Sequence, residues 1–312
     1  MKVVSVINYR GGVGKTTLTA NLGAELAWRG YRVLLLDMDP QSSLTFSFIT
    51  ADEWDRRYEA DRTIKSWFDS FESGEKITLS ELIERPARIN AKLGSRGTLD
   101  VIYSHLGLFD VDLKLATQIG GATLSQARRN FLSVHKRLLV GLTSPDVQEH
   151  YDVCLIDCPP NFNMVTKNAI VASQYMLVPT LPDQISSLGV DYLIRSIRQL
   201  VDDYNAFADL EQGQREPKIK PSIAGVVFTM IQENGGVPTA AQRTYMRKLA
   251  QDSGLRVFNS YIPRNAGLSA GVPEDGVPVV LMDASNYSHQ KVVDGIEQVA
   301  TEFLKVVDLN RE

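Results

Sequence analysis

A glycine-rich segment near the amino terminus constrains the fold of this chain more than any other part of its sequence. Its residues are Gly11, Gly12, Val13, Gly14, Lys15, Thr16 and Thr17. An apolar segment, residues 3–7, precedes it, and a segment with helical periodicity follows it. A glycine-rich turn between a strand and a helix presents backbone N–H groups and a helix N-terminus to phosphate. The sequence therefore predicts that residues 11–17 bind a nucleoside triphosphate.

The residue types in this loop match the chemistry of phosphate binding. Its three glycines are expected to adopt positive φ and to bring the backbone close to phosphate oxygens, because they carry no Cβ. Lys15 supplies a positive charge for the β- and γ-phosphates, and Thr16 supplies a hydroxyl ligand for Mg²⁺. Thr17 is expected to reach the α-phosphate. ATP and Mg²⁺ are therefore the predicted cofactors, and Lys15 is a predicted catalytic residue.

Apolar strands alternate with segments of helical periodicity along the 312 residues. The predicted strands are residues 3–7, 32–36, 99–103, 153–156, 175–178, 223–228 and 256–258. This alternation is typical of an α/β fold, with a doubly wound, mostly parallel sheet and helices on both faces, as in P-loop NTPases. No change in composition separates two domains, so residues 1–312 are expected to form a single P-loop ATPase domain.

Composition and charge limit the possible locations and partners. A net charge of -4 gives no globally basic face, so binding to nucleic acid would require a local cationic patch. The first strand is expected directly after Met1, and no apolar run approaches the length of a membrane span. A cytoplasmic location is therefore expected. Cys154 and Cys158 are expected to be buried and reduced, and the four histidines to be surface or structural residues.

Two carboxylates follow the second predicted strand. Asp37 and Asp39 are spaced by two residues and are expected on the same side, near the glycine-rich loop. Asp39 is predicted to orient the attacking water and to contribute to the Mg²⁺ site, since phosphoryl transfer depends mainly on positioning and charge stabilisation. Either carboxylate could instead cap the next helix, and for Asp37 this alternative is as strong as the functional one.

A third carboxylate ends the fourth predicted strand. Four apolar residues precede Asp157, a pattern typical of a strand that is buried on both faces and places one carboxylate beside bound Mg²⁺. Asp157 is therefore predicted to hold the ion through water. Pro159 and Pro160 follow and indicate a rigid segment that senses the γ-phosphate.

Two late strand ends are expected to contact the purine. Met230 follows the strand at 223–228, and Pro263 and Asn265 follow the strand at 256–258. An apolar or proline face can pack on a base at the carboxyl ends of the strands. Ordinary strand-to-helix turns explain these residues equally well.

Together these motifs resemble the ParA-type ATPases of the deviant Walker A class, which is related to MinD. The matching segments are 11–17, 37–41, 156–160, 229–230 and 262–265, in the order found in the family and across nearly the whole chain. The resemblance implies a homodimer that encloses ATP, binds nonspecific DNA and hydrolyses ATP slowly until a ParB-like or cargo adaptor protein stimulates it. It implies partition or positioning of a plasmid, chromosome or protein cargo over the nucleoid. The chain is expected to be of the shorter kind, without an N-terminal DNA-reading extension.

Two departures from the family pattern bear on this interpretation. Arg10 stands where the family has its signature lysine, and the hypothesis is that Arg10 acts catalytically across the dimer, like an arginine finger. A solvent-exposed Arg10 without such a role is the alternative. Residues 266–268 lack an arginine that relatives often use for DNA. DNA contacts are therefore expected from other cations, namely Arg195, Arg198, Arg243, Arg247 and Lys248. The alternative is that these are ordinary solvated side chains.

Other classes of protein remain as alternatives. An ATP-bound dimeric scaffold with little hydrolysis or DNA binding is the main one, because Arg10 could stabilise a dimer without supporting turnover. No membrane partner is expected, since the helix predicted from about Gln290 should pack its apolar face on the sheet. The charged segment 50–96 is expected to be a solvated helical face, and residues 209–220 an exposed loop.

Overall fold

A seven-stranded parallel sheet forms the centre of the protein, which a computed structural model describes over residues 1–210, 216–265, 276–283 and 286–309. The strands in chain order are β1 (Lys2–Val6), β2 (Arg32–Asp37), β3 (Thr98–Ile102), β4 (Val153–Asp157), β5 (Tyr175–Thr180), β6 (Ser222–Ile231), β7 (Glu233–Asn234), β8 (Val237–Pro238) and β9 (Val257–Pro263). The order in the main sheet is β3-β2-β4-β1-β5-β6-β9, and all neighbours are parallel. Strands β7 and β8 form a separate antiparallel ribbon.

Helices cover both faces of the sheet, which confirms the predicted doubly wound α/β fold. They are α1 (Lys15–Trp28), α2 (Ala51–Arg57), α3 (Ile64–Ser73), α4 (Ala87–Leu93), α5 (Leu108–Thr117), α6 (Leu124–His135), α7 (Arg137–Leu142), α8 (Pro145–Gln148), α9 (Met164–Ala172), α10 (Gln184–Leu210), α11 (Ala240–Asp252) and α12 (Tyr287–Val306). Helices α1, α2, α4 and α12 contribute to one apolar layer, and α3 together with α5 to α11 contribute to the other.

Successive residues of the central strands serve opposite layers, because strand side chains alternate between the two faces. In β4 the side chains of Cys154 and Ile156 belong to one apolar layer, and those of Val153 and Leu155 to the other. All five residues of this strand are buried, as expected for a strand covered on both sides. Cys154 and Cys158 are buried and unpaired, in agreement with the sequence prediction.

All seven predicted strands are present, but the last two extend further than predicted. β6 continues to Ile231 and β9 continues to Pro263, so Met230 and Pro263 lie within these strands, whereas Asn265 follows β9. Ile231 is paired with Pro263 in the ladder. A proline is compatible with this position because β9 is an edge strand of the sheet, and an edge strand does not need every N–H for pairing.

The remaining segments largely follow expectation. The charged residues of α2 are mostly exposed, while Trp54 on the same helix is buried. Helix α12 begins at Tyr287, where Asn286 accepts a hydrogen bond from the His289 N–H, and it packs against β9. Of the predicted loop at 209–220, residues 211–215 lie outside the described residues. No described helix combines the length and apolar character that crossing a membrane requires.

Candidate nucleotide site

The glycine-rich loop connects β1 to α1, where the sequence placed it. Gly12 and Gly14 have φ of 70° and 78°, and Gly14 occupies the N-cap position of α1. Gly11 is not at positive φ, so the prediction for this glycine was wrong. Gly12 and Gly14 make the left-handed turns of the loop. Just before them, the Arg10 N–H donates a hydrogen bond of 2.9 Å to the Asn8 side chain. Among the described residues no side chain caps α1, as is usual for an anion-binding helix N-terminus.

A cavity of about 520 Å³ opens over this loop. Its size is typical of pockets for small molecules. The structure brings the loop together with Asp39 and with residues that the sequence interpretation had not selected. The lining residues are Gly11, Gly12, Gly14, Lys15, Thr16, Thr17, Ala20, Asn21, Asp39, Gln41, Ser43, Ser47, Pro160, Met230, Val277, Pro278 and Val279.

A smaller apolar cavity of about 40 Å³ adjoins the first. Met230, Pro263 and Asn265, which were predicted from sequence to contact the purine, line it together with Gly14 and Thr17 of the loop. Met230 has a φ of 53°, and a non-glycine residue in this region is uncommon and is enriched at functional sites. The three predicted purine contacts therefore lie together beside the loop, and their role in base binding stays a prediction.

Lys15 lies almost buried in the large cavity, with a side chain that donates a hydrogen bond of 3.2 Å to the Arg10 carbonyl. Burial lowers the pKa of Lys15, because it disfavours the charged form, and the neighbouring carboxylates of Asp157 and Asp39 oppose this shift. Phosphate oxygens would add further negative charge beside the ammonium. The position therefore suits a lysine that binds phosphate.

Asp157 and Thr16 form a polar pair on the floor of the site. The Thr16 Oγ1 hydroxyl donates a hydrogen bond of 2.6 Å to Asp157 Oδ2. The other carboxylate oxygen, Oδ1, is buried and has no hydrogen-bond partner among the described residues. Burial raises the pKa of Asp157 well above its ordinary value, and the nearby Asp37 carboxylate adds to this shift. A cation beside Oδ1 would give this oxygen a partner and would balance the negative charge of the carboxylate.

The donor set at this pair fits Mg²⁺ with few protein ligands. Within the described parts of the chain, no group of three or more His, Cys, Asp or Glu side chains is arranged to hold a metal ion. Mg²⁺ usually takes one or two protein oxygens and completes its shell with water and substrate phosphates. The hydroxyl of Thr16 and the unpaired oxygen of Asp157 match this pattern.

The two carboxylates after β2 have different environments. Asp37 is completely buried and accepts hydrogen bonds from the Thr45 N–H at 2.8 Å, the Thr45 hydroxyl at 2.7 Å and the Asp39 N–H at 3.1 Å. Burial raises the pKa of Asp37 to about 7. It does not line the large cavity, whereas Asp39 does. Asp37 does not cap α2, whose N-cap is Thr50; its oxygens instead hold Thr45 in the segment that follows β2.

A serine that the sequence interpretation missed supports Asp39. Ser104 follows β3, and its hydroxyl donates a hydrogen bond of 2.7 Å to the Asp39 carbonyl. Its N–H donates to the Thr45 hydroxyl at 2.8 Å, and its carbonyl accepts from the Trp54 indole at 3.1 Å. Ser104 lies directly after the third predicted strand, at the carboxyl ends of the strands, where ligands are expected. That position was the available signal, since no motif marks this residue.

Thr229, which precedes Met230 at the end of β6, connects this strand to the glycine-rich loop. Its hydroxyl makes hydrogen bonds to the Val13 carbonyl at 2.8 Å and to the Thr180 carbonyl at 3.3 Å. The loop is therefore held from outside by a buried hydroxyl. Thr229 belongs to the segment 229–230, which carries the family resemblance and was expected near the purine; its contact with the loop was not expected from the sequence.

Arg10 has a partner within its own protomer. Its Nη1 donates to both carboxylate oxygens of Asp183, at 2.7 and 2.6 Å, and to the Ser186 hydroxyl at 2.6 Å. Arg10 is thus not a freely solvated side chain in the single protomer. The hypothesis that it acts across a dimer stays a prediction.

The predicted DNA-binding cations lie on two helices that contact each other, α10 and α11. All five side chains, those of Arg195, Arg198, Arg243, Arg247 and Lys248, are exposed. Exposure is necessary for contact with DNA phosphates, but ordinary surface cations share it. Residues 266–268, where the departure from the family pattern was noted, lie outside the described residues.

Comparisons with known proteins agree with this geometry. The model of a protein family described as an AAA domain, AAA_31, matches residues 1–210. The sporulation initiation inhibitor protein Soj of Bacillus subtilis is 28% identical over 302 residues, which cover 96% of this chain and 98% of that protein. The chromosome partitioning protein ParA of Caulobacter vibrioides is 29% identical over 283 residues, 91% of this chain and 88% of that protein.

A solved structure shares the fold over its whole length. The ATP complex of a McdA variant from Cyanothece aligns with a TM-score of 0.69 at 18% identity, and covers 100% of this chain and 98% of that one. At this level of identity the match supports the fold alone.

Proposed function

The chain belongs to the AAA-domain family AAA_31 and is a P-loop protein of the ParA/MinD type, and on this premise we propose that residues 1–312 form a single ATPase domain that positions an intracellular cargo. The reaction is hydrolysis of ATP to ADP and phosphate. The observation that carries the proposal is the cavity over the glycine-rich loop, where Lys15, Thr16 and Asp39 meet beside the buried Asp157.

Binding of the nucleotide is assigned to the loop and to the smaller cavity. The backbone N–H groups of residues 11–17 and the Lys15 ammonium would hold the phosphates. Met230, Pro263 and Asn265 would contact the purine. Thr16 and Asp157 would hold Mg²⁺, with Asp157 acting through water. The ion, when bound, neutralises charge on the phosphates.

Hydrolysis is assigned mainly to Asp39, which would orient the attacking water at the edge of the cavity. Its main chain is held by Ser104, and its Oδ1 accepts the Gln41 N–H at 2.9 Å. A fixed backbone limits the positions that the carboxylate can take. We expect hydrolysis to be slow until a second protomer and a partner protein complete the site.

The cargo-positioning role rests on the relatives and on the charged surface. Proteins named for chromosome partitioning and for inhibition of sporulation align with more than nine tenths of this chain. We propose an ATP-dependent homodimer, located in the cytoplasm over the nucleoid, that binds nonspecific DNA through exposed cations of α10 and α11. A ParB-like or cargo adaptor protein would stimulate hydrolysis and release the DNA. The cargo would be a plasmid, a chromosome or a protein assembly.

The first experiment is retention of DNA by the Asp39→Ala protein with ATP, with ADP and without nucleotide, over a series of salt concentrations. Binding that requires ATP, coincides with dimers and falls steeply with salt would support the proposal. A variant with Arg195→Ala and Arg198→Ala should weaken retention. Replacement of Arg56, an exposed cation on α2, should leave retention unchanged and serves as the matched control.

The scaffold alternative predicts a different result in the same experiment. It would give dimers with ATP that do not retain DNA at any salt concentration. The wild-type protein would then release little phosphate, even with a partner present. Either finding would contradict the cargo-positioning ATPase.

A further inference from the structure

Arg10 is bound in a specific site formed by the residues at the start of α10. Nη1 lies within 2.7 Å of both oxygens of Asp183 and within 2.6 Å of the Ser186 hydroxyl. Arg10 and Asp183 are 173 positions apart in the sequence, and β5, which neighbours β1, brings them together. The contact joins the first residues after β1 to the beginning of a 27-residue helix.

Asp183 has two roles in this arrangement. Its Oδ1 also accepts the Ser186 N–H at 2.8 Å, which satisfies one of the free donors in the first turn of α10. The same carboxylate therefore caps the helix and binds the guanidinium. Partial burial by itself would raise the pKa of Asp183, but the hydrogen bonds from Ser186 and Arg10 outweigh it and hold that pKa below its ordinary value.

The position of Arg10 creates a competition. Arg10 immediately precedes the glycine-rich loop, and its carbonyl accepts a hydrogen bond from the Lys15 ammonium. A guanidinium that is occupied by Asp183 and Ser186 cannot use the same nitrogen for a phosphate oxygen. A contact of Nη1 with the nucleotide of a second protomer therefore requires that the contact with Asp183 opens first.

We propose that Asp183 is a positioning residue for Arg10: it holds the guanidinium within the free protomer and thereby sets the protein concentration at which nucleotide-bound dimers form. The inference rests on the proposed function, since it presupposes an ATP-dependent homodimer, and on the hypothesis that Arg10 contacts the nucleotide of the second protomer. It assigns a role to Asp183 and Ser186, which neither the sequence motifs nor the cavity lining identified.

The expected size of the effect follows from the exposure of the pair. The side chains of Arg10 and Asp183 are 33% and 39% exposed, so solvent screens their attraction. Ion pairs of this exposure change an equilibrium constant by up to about fivefold. Two such contacts open when one dimer forms, so the dissociation constant of the dimer should change by up to about 25-fold.

The test compares Asp183→Asn with the wild-type protein in sedimentation equilibrium, with Mg²⁺ and the ATP analogue AMPPNP. Asparagine retains an oxygen that can cap Ser186, but it removes the charge that holds Arg10. We expect Asp183→Asn to dimerise at a several-fold lower protein concentration. The matched control is Asp191→Asn, which removes the same charge from an exposed position on the same helix and should leave the equilibrium unchanged.

Two further variants separate the contact from general electrostatics. Ser186→Ala removes the hydroxyl contact with Arg10, and should shift the equilibrium in the same direction by a smaller factor. In a protein that already carries Arg10→Ala, the additional change Asp183→Asn should have no effect on dimerisation. A gain in that background would show that Asp183 acts by charge repulsion between protomers, and would overturn the inference.

The failure of this inference is distinguishable from the failure of the proposed function. Dimers of Asp183→Asn that form at the same or a higher concentration than those of Asp191→Asn would refute the role of Asp183 and leave the ATP-dependent dimer intact. A wild-type protein that stays monomeric with AMPPNP would refute the dimer, and the role of Asp183 with it.

Discussion

The Thr16 hydroxyl donates a hydrogen bond of 2.6 Å to the buried Asp157 carboxylate and so connects the first turn of α1 to the end of β4. Only one oxygen of Asp157 is used by this bond, and the other has no partner among the described residues. A carboxylate buried in this manner costs free energy unless a further hydrogen bond or a cation satisfies it. The pair is therefore the part of the site whose chemistry depends most on a bound metal ion.

Asp157→Asn should reduce the affinity of the nucleotide complex for Mg²⁺ by about 10- to 100-fold, as expected for a residue that orients the shell of a metal ion. An amide presents an N–H₂ group where the carboxylate presents oxygen. Titration of Mg²⁺ into the protein with ATP, followed by calorimetry, measures the change. Asp146→Asn, at an exposed position, is the control. Equal Mg²⁺ affinity in both variants would contradict the assignment of Asp157.

Two glycines of the loop should differ in their tolerance of a side chain. Gly14→Ala should lower the free energy of unfolding by about 1–2 kcal/mol, because an alanine at a φ of 78° is strained. Gly11→Ala should leave the nucleotide-free protein nearly as stable as the wild type, since Gly11 is not at positive φ and its Cβ would meet no atom of the described residues within 4 Å. Urea denaturation without nucleotide measures both. Similar losses in the two variants would be inconsistent with the observed loop.

Ser104→Ala should slow hydrolysis several-fold while leaving ATP affinity within about twofold, since the lost hydrogen bond to the Asp39 carbonyl is worth roughly 1 kcal/mol. The effect acts through the position of Asp39, which contributes to the reaction step and not to phosphate binding. Phosphate release and equilibrium ATP binding are measured separately. Ser144→Ala removes a similar bond to a carbonyl outside the cavity lining and should change neither quantity. A parallel loss of affinity in Ser104→Ala would indicate a general structural defect.

His135 should make the stability of the protein depend on pH in the acid range. It is completely buried, and burial lowers its pKa from 6.5 to about 4. The unfolded chain therefore binds more protons than the folded one between these values, and stability is lost as pH falls from 6.5 to 4. The shift corresponds to a loss of about 3 kcal/mol in the free energy of unfolding.

Urea denaturation of the wild type and of His135→Gln, from pH 7 to pH 4.5, tests this expectation. The difference between the two proteins should shrink as pH falls, because glutamine does not titrate. His150→Gln, which replaces an exposed histidine, should follow the wild-type profile. A constant difference between wild type and His135→Gln over this range would contradict the role of burial.

The sequence alone determined the strands of the main sheet and the place of the glycine-rich loop. Apolar strands and the glycine-rich loop are signals within short segments, so hydrophobic periodicity and the conformational freedom of glycine are sufficient to identify them. This is why all seven strands of the main sheet, and the position of the loop between β1 and α1, were predicted correctly. The lengths of β6 and β9 were underestimated, because pairing between them, and not local propensity, carries these strands to Ile231 and Pro263.

Only the tertiary structure decided which polar groups act together. Asp37 and Asp39 look equivalent in the sequence, yet Asp37 is used to hold Thr45 while Asp39 lines the cavity. Ser104 and Asp183 gained their roles from partners that the order of strands in the sheet brings close, across 65 and 173 positions of the chain. The physical reason is that a hydrogen bond depends on the distance and direction between two atoms. Those are set by the packing of the whole sheet and not by the residues next to either group in the sequence.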